Sequence, residues 1–118
     1  MQVIEIVDKM GKLVEALDDM KARDIEIIDT SVQSVLFDRM IIASGNSSRH
    51  NRAICRAVEK TASQLGIRKI GLEGMATAEW VLVDLGDIIV HIMQPETRRH
   101  YDLKKLWILT PDKKDAGE

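Results

Sequence analysis

Two short stretches of the sequence, three separate histidines and one cysteine are the places where side chains could do chemistry. Gly45-Asn46-Ser47-Ser48 has the glycine and small hydroxyl residues of a phosphate-binding turn, in which free N–H groups at a helix N-terminus face an anion. It lacks both the lysine of GxxxxGK[ST] and the three-glycine dinucleotide pattern. A capped helix start is therefore the plainer reading. Asp84 and Asp87 invite comparison with the metal-binding carboxylates of nucleotidyl transfer. Such carboxylates must converge on ions about 3.5–4 Å apart, and two on one strand share a face only at i, i+2. Asp84 and Asp87 are instead at i, i+3 across Gly86, and Asp87 suits a turn. His50, His91 and His100 follow no zinc-binding spacing, so no metal site is expected. The single cysteine, Cys55, sits beside Ile54 in a helical pattern and reads as a small buried side chain.

Two further groups suit recognition rather than catalysis. Arg49-His50-Asn51-Arg52 and Arg98-Arg99-His100 are basic clusters whose default role is a solvated face. Of the few aromatic residues, Trp80, Tyr101 and Trp107 fall close together in the C-terminal third, with Arg98 among them. Trp, Tyr and Arg dominate binding hot spots. Trp107 has an alternative role, anchoring the last helix on the core.

The elements that must position these residues are visible as periodicities. Residues 3–22 show apolar side chains at three- and four-residue spacing and read as an amphipathic helix. Residues 25–29 and 39–44 read as strands. Asn46 or Ser47 is expected to cap a second helix that ends at Gly66. Residues 69–73 suggest a third strand. WVLVDL and IIVHIM then flank Gly86-Asp87, a two-residue hairpin signal. In that register Leu85 faces Ile88, Val83 faces Val90 and Val81 faces Ile92, all on one aliphatic side. The other side carries Trp80, Leu82, Asp84, Ile89, His91 and Met93, a mixed face expected to be exposed. Pro95 ends the hairpin. Short helical turns should follow, with Asp102 as an internal cap. The predicted class is α/β or α+β, a mixed sheet of about five strands flanked by helices. Residues 1–110 form one domain, and 111–118 a disordered tail.

Composition narrows the function classes. A net charge of −2 argues against indiscriminate nucleic-acid binding. The acid-studded N-terminus is neither a signal nor a transit peptide, and no apolar run approaches the roughly 18–20 residues of a membrane span. One unpaired cysteine fits a reducing cytoplasm.

The segment GNSSRHNRAI followed by EGMATAEWVLVDLGDIIVHIMQPETRRHYDLKKLW resembles the ribosomal silencing factor (Iojap-like) family. With the helix–strand opening, the resemblance spans roughly residues 3–107. It implies a non-enzymatic cytoplasmic factor without cofactor, homodimeric when free, with a nucleotidyltransferase-like fold lacking the catalytic carboxylates. It further implies docking on the large ribosomal subunit through that subunit's fourteenth ribosomal protein, which blocks subunit joining and represses translation under nutrient limitation. Trp80, Leu82, Asp84, His91, Met93, Arg98, Tyr101 and Trp107 are the expected contacts. Trp80, Met93 and Tyr101 would be anchors, Asp84 would meet basic groups, and Arg98 an acidic or carbonyl group. The competing reading is a nucleotide-binding transferase using residues 45–48 with Asp84 or Asp87.

Overall fold

Helix α1, Ile6–Asp19, forms where the apolar stripe predicts it and turns Met10, Leu13 and Leu17 into the core. The structure is a computed structural model and describes residues 5–31 and 38–101. At its C-terminus α1 closes with Lys21 N–H donating to Asp18 O and Ala22 N–H to Leu17 O. This Schellman arrangement puts Lys21 in the left-handed region at φ 60°. Helix α2, Ser48–Gln64, ends in the same way, with Gly66 at φ 76°. The glycine was legible in the sequence, whereas the lysine in the same role was not.

The strands are β1 (Arg23–Asp29), β2 (Arg39–Ser44), β3 (Gly71–Glu73), β4 (Trp80–Asp84) and β5 (Ile88–Met93), and a short helix α3 (Pro95–His100) follows. They form one five-stranded sheet in the order β1-β2-β5-β4-β3. Only β2 and β5 run parallel, and α2 lies in the connection between them. The mixed α+β class expected from the element order is therefore the class observed. β1 begins two residues earlier than the periodicity indicates, with an irregularity between Arg23 and Glu26 where Asp24 adopts φ 51°. β3 is shorter than expected because residues 69 and 70 precede its ladder. Asp102 and the tail from residue 111 lie outside the described residues.

The hairpin register is the one expected: Val81 pairs with Ile92 and Val83 with Val90, and Leu85 N–H donates to Ile88 O. These six side chains join Ile41 and Ala43 of β2, Met10, Leu13 and Leu17 of α1, and Ile54, Val58 and Ala62 of α2 in the main core. Each large aliphatic side chain buried here contributes about 1.5–3 kcal/mol.

The other side of the sheet departs from expectation. Met93 is fully buried, His91 is 5% exposed and Ile89 8%. Met93, Met40 and Ile42 form a second, smaller apolar cluster, with Ile28 and Trp80 packed against it. The hairpin alone leaves this face open, but β5 is the central strand, and β2 adds Met40, Ile42 and Ser44 along its free edge. The mixed face is thus half core and half surface.

Candidate functional site

The surface half of that face is built around Trp80. Trp80 starts β4 opposite Met93, and His91 lies diagonally across the strand pair, within reach of a long side chain. The Trp80 indole Nε1–H donates to His91 Nδ1 at 2.9 Å, with ring centroids 5.9 Å apart. An acceptor Nδ1 requires the neutral imidazole. Burial favours this form, lowering the His91 pKa to about 4. On its other side Trp80 meets Tyr101 at a centroid separation of 5.1 Å, tilted by 41°. Tyr101 is 55% exposed and lies 6.4 Å from the His100 ring. Leu82 and Asp84 continue the half-exposed line along β4.

The expected contact residues therefore separate into two groups. Trp80, Leu82, Asp84 and Tyr101 reach the surface together. His91 and Met93 do not: the expected Met93 anchor has no surface to offer, and His91 holds the tryptophan from below. Arg98 is also engaged within the chain. Its Nη1 donates to Ser44 Oγ at 2.9 Å and its Nη2 pairs with Glu26 Oε1 at 2.6 Å. Asp84 Oδ1 accepts the Gly86 N–H at 2.9 Å, so one carboxylate oxygen shapes the hairpin turn. Trp107 lies outside the described residues.

In the turn at residues 45–48 both serine hydroxyls and the Asn46 N–H are engaged within the chain. Ser47 Oγ caps α2 by accepting the His50 N–H at 3.0 Å, which selects Ser47 over Asn46 as the cap. His50 Nδ1 accepts from Asn46 N–H, and its Nε2 is then the donor to Met20 O at 2.7 Å. The rest of the motif grips the segment that leads into β4. Arg52 donates to the carbonyls of Met75 and Ala76, at 2.9 and 2.6 Å. Ser48 Oγ donates to Thr77 O at 2.7 Å, and Asn51 Nδ2 to Ala78 O at 2.7 Å. Four consecutive carbonyls are thus held by three side chains of the first turns of α2. Ala78, buried and at φ 57°, is kept in its left-handed conformation by this grip, two residues before Trp80. Gly45 makes room for it: a Cβ there would lie 2.1 Å from Asn51 Oδ1.

Sequence reasoning missed this role. It treated Arg49-His50-Asn51-Arg52 as a solvated face, yet Asn51 is fully buried. The available signal was Asn51 itself, a polar residue on the same helix stripe as Ile54 and Val58. Among the described residues no group of three or more His, Cys, Asp or Glu side chains is placed to hold a metal. No described helix is long and apolar enough to cross a membrane. Cys55 is buried, and desolvation, helped by Glu59, pushes its thiol up to about 11, the state of an inert core cysteine.

Comparison with known proteins matches residues 3–118 to the family model described as ribosomal silencing factor during starvation. The chain is 43% identical over 102 residues to a ribosomal silencing factor of Chromobacterium violaceum, covering 86% of this chain and 84% of that one. A ribosomal silencing factor of Bacillus subtilis is 41% identical over 92 residues, 78% of each chain. A mouse protein named mitochondrial assembly of ribosomal large subunit protein 1 is 37% identical over 100 residues, 82% of this chain and 44% of that one. A crystal structure of a Chromobacterium violaceum protein superposes with a TM-score of 0.86 at 42% identity, covering 88% of this chain and 87% of the other. With a family model spanning nearly its whole length and a relative 43% identical over 84% of that protein, this chain belongs to the ribosomal silencing factor family.

Proposed function

We propose that this chain represses translation by docking on the large ribosomal subunit through that subunit's fourteenth ribosomal protein and blocking association with the small subunit. It acts in the cytoplasm, as a homodimer when free, by steric exclusion rather than by catalysis. The observation that carries the reading is the Trp80–Tyr101 pair: two large aromatic side chains held at the surface, one by a buried histidine. Such amphipathic rings in a fixed pose are what a protein interface uses as anchors. The names of the three relatives above support it, two being ribosomal silencing factors and one a mitochondrial large-subunit assembly protein. Trp80 and Tyr101 serve as anchors, and Leu82 extends the apolar contact. The Asp84 oxygen not used by the turn faces basic groups of the ribosomal protein. His91 and Met93 support the face from within.

The test is pelleting with purified large subunits, together with light scattering to follow subunit joining. Trp80→Ala and Tyr101→Ala should each weaken pelleting by about 2–4 kcal/mol, roughly 30- to 1000-fold, and relieve the block on joining. Normal pelleting of both folded variants would remove Trp80 and Tyr101 from the interface.

A further inference from the structure

The geometry assigns Arg98 the role of a positioning residue, a latch that docks α3 against the sheet and so sets Tyr101 onto Trp80; this rests on the docking reading above. Helix α3 has six residues, none of them buried, and no side-chain cap. A helix this short is not stable alone, and with no buried apolar side chain, hydrophobic packing does not hold it in place. Its described ties are polar. Gln94, just before the helix, donates its N–H to Glu79 O at 3.0 Å and its side-chain Nε2 to Ser48 Oγ at 3.0 Å. Near the other end is Arg98, whose guanidinium spans two strands, reaching Ser44 on β2 and Glu26 on β1.

Ser44 is buried, and the Arg98 and Glu26 side chains are 16% and 32% exposed, so the pair is largely shielded from solvent and salt. Each end of the fork has its own partner, a geometry that a lysine ammonium does not reproduce. Tyr101 follows α3 directly, and its N–H donates to Thr97 O at 3.0 Å. The angle at which Tyr101 meets Trp80 is therefore set by how α3 lies, and at this end α3 is fastened by Arg98. Arg98 acts on the partner through Tyr101 and makes no contact of its own.

The experiment combines large-subunit pelleting with NMR of the free protein, using the Trp80 indole N–H resonance, identified by its loss in Trp80→Phe. Arg98→Met should weaken pelleting about 10-fold and move the Trp80 resonance in the direction seen for Tyr101→Ala. Arg98→Lys should behave like Arg98→Met. Glu26→Gln should weaken binding less, and Arg98→Met/Glu26→Gln should bind no worse than Arg98→Met alone, since both changes break one latch. Additive losses with an unmoved Trp80 resonance would mean that Arg98 touches the partner directly, overturning the assignment. An unmoved resonance with unchanged binding would overturn it as well. If the resonance moves as expected while no variant, Trp80→Ala included, changes pelleting, the latch stands and the docking reading fails.

Discussion

Lowering the pH from 7 to 5 probes the environment of His91 directly. Burial holds this imidazole neutral, with its pKa lowered from 6.5 to about 4, and the Trp80 N–H bond requires that form. In the unfolded chain the same side chain titrates near its ordinary value. A histidine depressed in the folded state leaves the unfolded state binding more protons as the pH falls, so stability is present above the unfolded pKa and is lost below it. The window runs from about pH 6.5 down to about pH 4, and below that the folded form protonates as well. The full difference corresponds to about 3 kcal/mol, of which about 2 kcal/mol is gone by pH 5. The assay is urea unfolding at pH 7 and pH 5 for the parent protein and for His91→Asn, whose amide oxygen lies near the position of Nδ1 and accepts the same bond without titrating. The two proteins share every other ionisable group, so the difference between their pH effects isolates His91. The parent should lose about 2 kcal/mol more than His91→Asn. Equal losses in the two proteins would refute the claim that burial keeps this group neutral.

Three further outcomes follow from particular contacts. Gly45→Ala forces a Cβ to within 2.1 Å of the Asn51 carbonyl oxygen, so it should cost about 1–3 kcal/mol in urea unfolding and broaden the NMR signals of residues 75–80. Lys21→Gly relieves a left-handed residue at the end of α1; the strain removed outweighs the glycine's extra freedom when unfolded, and the thermal midpoint should rise by the equivalent of about 0.5 kcal/mol. Cys55 should resist aromatic disulfide reagents in the native protein at pH 8, because it is buried and its thiol is raised to about 11, and should react at the rate of unfolding when urea is added; fast native labelling would contradict the packing of α2.

Local periodicity determined much of this protein. The 3.6-residue stripe of α1, the turn at Gly86 and the two-residue alternation on either side of it are properties of neighbours in sequence. They were enough to place the helix, the hairpin, its register and its six core-facing side chains. Ser47 and Gly66 were readable as caps for the same reason: each acts on backbone groups a few residues away. The aromatic cluster around Trp80 could also be singled out, since it depends only on residue type and proximity along the chain.

What the tertiary structure decided was which of these residues have water beside them. The burial of Met93 and His91 follows from the parallel pairing of β5 with β2, a contact between segments some 50 residues apart in register, on which hairpin periodicity is silent. The roles of Arg98, Asn51 and Arg52 depend on partners 72, 27 and 23 residues away. In sequence such residues look like ordinary solvated polar side chains, because the carbonyls and carboxylate that claim them are brought near only by the closed sheet. The sequence therefore indicated where the proposed docking face lies, and the fold determined which residues form its surface and which hold that surface in place.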